Sequence, residues 1–352
     1  MPSRNNTQLQ RTFAAMLLLF CSATVCSQVS DVRFTPSDDY IIDKTFFKLP
    51  AGRSIGATSG LAIHPDGSSF WVFDRCGPEN CRGSDLAPIM QFDRDGNPLR
   101  SFGANLFQRP HGLFVDRDGN VWVTDDVGSR DIDTVSEGKG HQVFKFSPEG
   151  ELLMTLGQPG IAGDGPDTFN MPSAVLVAPN GDIFVGDGHG PGSNARIVKF
   201  NSRGDYLMTW GSFGDGPHQF HTPHALAMDS AGRLFVGDRG NSRVLIFDQS
   251  GNFLDEWKQF GRPSGMFIDA NDLLYVADSS SSNSARINPG FDEGIRVGHV
   301  DDGRIIVFIE DPDGNGSQEG VVADSDGNIY GSLTAGMALR KYSPSMDSRE
   351  SH

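Results

Sequence analysis

The chain contains few cysteines, little positive charge and, beyond residue 27, no long hydrophobic run. Of its 352 residues 4 are cysteine, and 29 lysines and arginines are outnumbered by 45 aspartates and glutamates, which gives a formal net charge of −16. Because an acidic surface repels phosphate backbones, we expect no nucleic-acid partner. No later segment approaches the roughly 18 apolar residues of a membrane helix, so we expect no stable membrane span.

The first 27 residues have the layout of a secretion signal. Arg4 and Arg11 are followed by an apolar run over residues 13–20 and then by small residues. This run is too short to span a bilayer. We expect cleavage after Ser27 and export to the periplasm or the extracellular space, which leaves a formal charge of −18. Cys26 raises the alternative of a lipoprotein, although the residue before it is larger than such sites prefer.

Two cysteines, Cys76 and Cys81, remain beyond the signal segment, with four residues between them. In an oxidising compartment this spacing predicts a local disulfide. The alternative is a pair of metal ligands, but no second cysteine or histidine pair lies nearby to complete such a site.

Helical periodicity is absent after the signal segment, and short runs of alternating apolar residues take its place. Six segments share one pattern: a serine, histidine or glutamate, an apolar strand, a turn rich in Asp and Gly, and a second apolar strand. They are SGLAIHPDGSSFWVFD, HGLFVDRDGNVWVTD, SAVLVAPNGDIFVGD, HALAMDSAGRLFVGD, SGMFIDANDLLYVAD and EGVVADSDGNIYGSL.

Third and fourth strands follow in most copies, as in HQVFKFS with ELLMTLG and RVLIFDQ with NFLDEWK. Four antiparallel strands repeated six times predict an all-β fold, a six-bladed β-propeller over residues 28–344, and the unit resembles the NHL repeat family. A segment around Val32–Phe34 is expected to close the last blade. A β-solenoid is the alternative, but its repeats are usually shorter. We expect a monomer and a disordered tail over residues 345–352.

One position of the repeat carries the residues of chemical interest. The residue that opens the innermost strand lies at one mouth of the propeller channel, and in blade order it is Ser59, His111, Ser173, His224, Ser264 and Glu319. Alternate blades are about 120° apart, so the two histidines and the glutamate are predicted to converge. They form a facial ligand set for zinc, with iron or manganese as alternatives. The other explanation is a set of turn residues around a water-filled channel.

The segments PHGL (Pro110–Leu113), HQVFK (His141–Lys145) and PHALA (Pro223–Ala227) are similar to those of the peptidyl-α-hydroxyglycine α-amidating lyases, a family of secreted six-bladed propellers. In that family three histidines from alternate blades hold zinc. The resemblance implies that His111 and His224 match two of them and that Glu319 stands in place of the third. Since an anionic ligand replaces a neutral one, the Lewis acidity of the metal is expected to fall.

The same resemblance implies further site residues. The family places two arginines over the metal, which match Arg75 and Arg239, and a pair of guanidinium groups suits a substrate carboxylate. Either arginine has an alternative role at a solvated corner or as the partner of a neighbouring aspartate. The family's tyrosine falls near His189, for which three roles stay open: general base, additional metal ligand or ordinary loop residue. A structural calcium in the channel is also implied.

These features predict a metal-dependent lyase that breaks the C–N bond of an α-hydroxyglycine and releases a peptide amide and glyoxylate. A relative acting on another small, carboxylate-bearing substrate is included in this hypothesis. Two other classes stay open. Six-bladed propellers also hydrolyse lactones or esters with calcium, but that chemistry calls for an all-oxygen site rather than two histidines. The third class is a non-catalytic propeller that binds protein or glycan through its faces.

Overall fold

Short strands joined by tight turns make up the described part of the chain. The computed structural model describes residues 36–127, 138–281, 288, 290–311, 313 and 318–345. The predicted secretion signal, the segment Val32–Phe34 and residues 346–352 of the predicted tail lie outside these residues. Within the described ranges, no helix is long and apolar enough to cross a membrane.

The strands form six four-stranded antiparallel sheets, which are the blades of a propeller. The first strand of the chain, β1 (Tyr40–Asp43), belongs to the last blade. Blade 1 contains β2 (Thr58–Ile63), β3 (Ser69–Asp74), β4 (Ile89–Asp93) and β5 (Pro98–Phe102). Blade 2 contains β6 (Arg109–Val115), β7 (Val121–Asp126), β8 (Gln142–Phe146) and β9 (Leu152–Leu156). Blade 3 contains β10 (Pro172–Val177), β11 (Ile183–Asp187), β12 (Arg196–Phe200) and β13 (Tyr206–Trp210).

A short parallel pair, β14 (Ser212–Phe213) and β15 (Gln219–Phe220), connects blade 3 to blade 4. Blade 4 contains β16 (Pro223–Met228), β17 (Leu234–Asp238), β18 (Arg243–Phe247) and β19 (Phe253–Trp257), with one 3-10 turn at Arg239–Asn241. Blade 5 contains β20 (Pro263–Ile268), β21 (Leu273–Asp278), β22 (Gly294–His299) and β23 (Ile305–Glu310). Blade 6 contains β24 (Gln318–Ala323), β25 (Ile329–Leu333) and β26 (Ala338–Pro344), with β1 as its outermost strand.

The pairing of β1 with β26 completes blade 6, with Tyr40 opposite Pro344 and Asp43 opposite Lys341. Each inner strand contacts the inner strand of the next blade, and β24 contacts β2, so the six sheets form a closed ring. The predicted six-bladed propeller is therefore confirmed. The closing strand that the structure describes is Tyr40–Asp43, whose half-buried and exposed residues alternate with the period of a strand.

Hydrophobic side chains pack between neighbouring blades. The described residues form six buried clusters, one at each blade-to-blade interface. Successive residues of a strand point to opposite faces of the sheet. In β3, Val72 therefore packs toward blade 6, while Phe73 packs toward blade 2. Burial on both faces explains why the second strands are nearly continuous apolar runs.

Buried aspartates hold the corners where the second strands end. In blade 4 the carboxylate of Asp238 accepts the backbone N–H of Thr222 at 3.0 Å and pairs with Arg243 at 3.0 Å. In blade 1 the corner is followed by the predicted disulfide between Cys76 and Cys81, whose Cα atoms are 4.9 Å apart. These contacts fix the loops at the end of the channel where the candidate site lies.

Candidate metal centre

Each inner strand contains one β-bulge, and the bulge falls at the ring position singled out in the sequence. In blade 4, Pro223 pairs with Asp238 and Ala225 pairs with Gly237, so His224 is the extra residue. In the other five blades the pairing of the inner strand with the second strand is interrupted in the same way, at Ser59, His111, Ser173, Ser264 and Glu319. A bulge redirects a side chain out of the normal alternation of a strand. All six side chains are buried and line one end of the central channel.

The imidazoles of His111 and His224 are oriented by backbone carbonyl groups of the neighbouring blades. The Nδ1 of His111 lies 2.8 Å from the carbonyl oxygen of Ser173, and the Nδ1 of His224 lies 2.6 Å from that of Ser264. A carbonyl oxygen only accepts a hydrogen bond, so each Nδ1 carries the proton and each Nε2 presents a lone pair. Metal-binding histidines are commonly oriented in this way by a second hydrogen bond.

The carboxylate of Glu319 meets these two lone pairs. Its Oε1 lies 3.4 Å from the Nε2 of His224 and 3.8 Å from the Nε2 of His111. The three side chains come from blades 4, 2 and 6, so alternate blades bring them to one point. The structure therefore places the three predicted ligands together. Their metal-binding role stays a prediction.

A fourth donor, His189, joins them from the loop after β11. Its Nε2 lies 3.1 Å from the Nε2 of His224, and its ring centroid is 4.2 Å from that of His111. One donor atom from each of the four side chains, including Glu319, lies within 4.8 Å of the other three. Blade 3 thus contributes a loop residue, whereas its ring position holds a serine.

The chemistry of the four donors fits a divalent metal. Burial lowers the pKa of His111, His189 and His224 well below the usual value, which keeps the imidazoles neutral and able to bind a cation. The Nε2 of His111 is buried and has no hydrogen-bond partner among the described residues. An unpaired buried donor or acceptor is costly, and a metal ion at the common point would satisfy it. Imidazole and carboxylate together suit zinc, iron or manganese.

Both predicted arginines lie beside the four donors. The Nη1 of Arg239 is 3.6 Å from the Oε1 of Glu319, and its Nη2 is 3.4 Å from the Nε2 of His189. Arg75 is buried and donates from Nε to the carbonyl oxygen of Pro110 at 3.1 Å. The Nη2 of Arg75 has no hydrogen-bond partner in the described structure. Burial lowers the pKa of Arg75 to about 10, so the group stays cationic at neutral pH.

Two residues of the site, Asp126 and Arg109, were missed in the sequence. Asp126 is fully buried and its Oδ2 lies 3.3 Å from the Nδ1 of His189 and 2.6 Å from the Nη1 of Arg109. A signal for Asp126 was present, because it directly follows the corner aspartate of its blade, as Arg75 and Arg239 do in theirs. Three blades therefore place a charged side chain at the equivalent position over the ring.

Two of the three ring serines connect neighbouring inner strands. The hydroxyl of Ser59 donates to the carbonyl oxygen of Pro110 at 3.0 Å, and that of Ser173 donates to the carbonyl oxygen of Pro223 at 2.5 Å. These bonds link blade 1 to blade 2 and blade 3 to blade 4. The serines contribute no atom to the cluster of four donors.

On the side of the ring away from the arginines, the channel widens into a cavity of about 680 Å³. Its walls are mostly apolar and include Leu61, Leu113, Leu226 and Val321. The predicted structural calcium would belong in this channel, and it stays a prediction.

Comparisons with known proteins agree with the repeat and with the resemblance. Residues 220–247, in blade 4, match the model of the NHL repeat. Human NHL repeat-containing protein 3 is 38% identical over 253 residues, which cover 67% of this chain and 66% of that protein. A probable peptidyl-α-hydroxyglycine α-amidating lyase of Caenorhabditis elegans is 32% identical over 212 residues, covering 55% of this chain and 56% of that protein. The chain thus spans two thirds or less of the length of these relatives.

A solved gluconolactonase of Xanthomonas campestris has a TM-score of 0.59 to this chain, with 15% identity, and the match covers 87% of this chain and 90% of that one. At this identity the likeness shows the shared fold alone.

The fold and the site together define the class of protein. The chain is a six-bladed β-propeller that contains a segment matching the NHL repeat, with a buried cluster of histidine and carboxylate side chains at one end of its channel. Within that class it resembles the peptidyl-α-hydroxyglycine α-amidating lyases, and it is also similar to NHL repeat-containing protein 3.

Proposed function

We propose that this protein is an exported, metal-dependent carbon–nitrogen lyase of the amidating type. Its substrate would be a peptidyl-α-hydroxyglycine, cleaved to a peptide amide and glyoxylate, or another small α-hydroxy compound that bears a carboxylate. The resemblance to proteins named as α-amidating lyases supports the reaction class. The arrangement of the donors and arginines supports the class of substrate.

His111, His224 and Glu319 would hold the metal, for which zinc is the first expectation. When bound, a divalent metal lowers the pKa of a coordinated hydroxyl group and stabilises the developing negative charge. The Glu319 carboxylate would stand in place of the third histidine of the lyase family. Its negative charge would offset one positive charge of the metal, so the metal should lower the pKa of the hydroxyl group less. The backbone carbonyls behind the two imidazoles keep their Nε2 atoms directed at the site.

Arg75 and Arg239 would hold the carboxylate of the substrate. The free Nη2 of Arg75 is the observation that carries this assignment, because a buried guanidinium nitrogen without a partner favours an anionic ligand. A carboxylate bound here would lie beside the donor cluster, since Arg239 contacts both Glu319 and His189. An α-hydroxy acid held by its carboxylate thus presents its hydroxyl group to the same point.

The proposed reaction balances without an outside oxidant or proton. The hydroxyl group loses its proton, its electron pair forms the carbonyl of glyoxylate, and the C–N bond breaks. The amide nitrogen that leaves gains one proton. A single carrier within hydrogen-bond reach can therefore move the proton from the hydroxyl group to the nitrogen.

The test is glyoxylate release from an N-acyl-α-hydroxyglycine by purified protein supplied with Zn²⁺, Fe²⁺ or Mn²⁺ in separate assays. We expect turnover by the wild type and none above the metal-only background for a Glu319→Ala variant. Protein that contains stoichiometric metal but releases no glyoxylate would refute the lyase assignment. That result would favour the non-catalytic propeller among the classes left open by the sequence.

A further inference from the structure

We propose that His189 is a fourth protein ligand of the metal and that Asp126 is the residue that positions it. This inference rests on the metal centre of the proposed function, and it does not depend on the lyase reaction. It takes His189 out of the role of general base that the sequence left open.

The separations of the donor atoms favour a ligand over a base. Adjacent atoms bound to one ion at about 2.0–2.1 Å lie roughly 3.0–3.4 Å apart, and the Nε2 atoms of His189 and His224 are 3.1 Å apart. A general base contacts a proton on the substrate oxygen at about 2.6–3.2 Å. A general base is therefore expected to lie farther from the ion than a ligand does, and farther from the other ligands than about 3.0–3.4 Å. The separation of His189 from His224 falls in the range of two ligands of one ion, and all four donor atoms lie within 4.8 Å of one another.

The proton positions lead to the same assignment. The Nδ1 of His224 donates to the carbonyl of Ser264, so its Nε2 is a lone pair. The Nδ1 of His189 lies 3.3 Å from the Asp126 carboxylate, whose negative charge favours the tautomer with the proton on Nδ1 and a lone pair on Nε2. A cation at their common point would stabilise two lone pairs that face each other at 3.1 Å. Arg239 reaches the Nε2 of His189 at 3.4 Å, from the edge of the cluster.

Asp126 is itself firmly held. The Nη1 of Arg109 contacts both of its oxygens, at 2.9 and 2.6 Å. The same Nη1 lies 3.4 Å from the Nδ1 of His189, but its short contacts go to the carboxylate. A carboxylate that accepts the second N–H of a metal-binding imidazole fixes the orientation of the ring and raises the basicity of the ligand. Asp126 thus lies behind the Nδ1 of His189 as the serine carbonyls lie behind those of His111 and His224, at a longer distance of 3.3 Å.

With three imidazoles and one carboxylate as ligands, the number of coordination positions left for a substrate depends on the metal. With zinc, four protein ligands complete the tetrahedral set of a closed site. A metal that accepts six ligands, such as iron or manganese, keeps two positions for the hydroxyl and carboxylate oxygens of an α-hydroxy acid. We therefore expect activity to be higher with these metals than with zinc.

The deciding experiment counts imidazole ligands by pulsed electron paramagnetic resonance on protein loaded with Cu²⁺ alone, and measures Zn²⁺ affinity by competition with a chelator. We expect three imidazoles in the wild type, two in His189→Ala, and three in Asp126→Asn. Zn²⁺ affinity should fall at least about 10-fold in His189→Ala and about 10- to 100-fold in Asp126→Asn. The matched control is His218→Ala, because His218 is exposed and lies outside the donor cluster.

A wild-type count of two imidazoles would overturn the proposal without any variant. So would a His189→Ala protein with wild-type affinity that has lost only turnover, since that result identifies a base. Thermal unfolding of each variant shows whether it is folded. Glyoxylate release, measured on the same samples, tests the reaction separately: three imidazoles without turnover would leave the ligand assignment intact and remove the lyase.

Discussion

The Nδ1 of His111 lies 2.8 Å from the carbonyl oxygen of Ser173, which occupies the same ring position in the next blade. His224 and Ser264 repeat this relationship at 2.6 Å. Ser173 and Ser264 thus orient the imidazoles that precede them around the ring. The alternation of serine with larger residues has two functions: it leaves room at the centre, and it supplies acceptors that fix the histidine tautomers.

Replacing Glu319 by glutamine is expected to weaken metal binding. The change removes the negative charge and keeps the shape, so two neutral imidazoles, with or without His189, must hold the cation. We expect Zn²⁺ affinity to fall at least about 10-fold. Elemental analysis of purified protein and chelator competition give the measurement. Glu310→Gln, at an exposed position in β23, is the control, and equal metal content in both variants would contradict the site.

Replacing Arg75 by methionine is expected to weaken binding of carboxylate compounds while leaving metal content unchanged. Charge-assisted hydrogen bonds contribute about 1.5–3 kcal/mol, so the affinity for glyoxylate should fall roughly 10- to 100-fold. Isothermal titration of zinc-loaded protein with glyoxylate measures this. Arg94→Met is the control because Arg94 is largely exposed. An Arg75→Met variant that binds glyoxylate normally would show that the unpaired nitrogen has no anionic ligand.

Gly265→Ala is expected to disturb the metal centre, because Gly265 in β20 lies against the backbone of Glu319 in β24. A Cβ at Gly265 would lie 2.4 Å from the carbonyl oxygen of Glu319 and 2.9 Å from the Cα of Gly320. The backbone must shift, at an expected cost of about 1–3 kcal/mol in the free energy of unfolding, and the Glu319 carboxylate should move with it. Urea unfolding and metal affinity measure the two effects.

The control for this substitution is Gly77→Ala, because no atom lies within 4 Å of the position of its Cβ. We expect that variant to unfold within about 0.5 kcal/mol of the wild type. If Gly265→Ala is equally stable and binds metal equally well, the close approach of β20 to β24 does not constrain Glu319.

His141 is expected to make stability fall in mild acid. Burial lowers its pKa to about 4, below the ordinary 6.5, and its Nδ1 accepts the backbone N–H of Met171 at 3.1 Å. As pH falls, the unfolded chain binds the proton first, so the free energy of unfolding decreases between about pH 6.5 and pH 4, by about 2–3 kcal/mol.

Asparagine at position 141 removes the titration and keeps an acceptor, and it tolerates the left-handed backbone found there, with φ of 58°. Urea unfolding of His141→Asn and wild type should therefore give similar stabilities near pH 7 and diverge as the pH approaches 4, because only the wild type loses stability over this range. A difference that is constant across this range would exclude His141 as the titrating group.

The fold could be predicted from the sequence because the repeat is regular. Ring residues, turn glycines and corner aspartates recur at fixed spacing, and six copies of a four-stranded unit have few arrangements. The small residue after each ring position, as in Gly112 and Gly265, was a further signal. A Cβ at either would lie within 2.5 Å of a carbonyl oxygen on the neighbouring inner strand.

The rest of the site depends on irregular geometry. The bulges that redirect the ring side chains have no residue signature of their own. The loop that brings His189 to the centre contains extra residues, so its path does not follow the repeat. Asp126 has a role at the site only because His189 lies beside it. The closing strand lay at Tyr40–Asp43 because pairing with β26, rather than local pattern, selects it.

The ring closure has a consequence for how the centre assembles. Glu319 belongs to the last blade to be synthesised, and that blade is complete only when β1 has paired with β26. An ion held by residues of blades 2, 3, 4 and 6 would cross-link these four blades at the centre of the ring. Metal binding would then indicate that the ring has closed. A chain without a complete blade 6 would retain only some of the ligands and would bind the metal weakly.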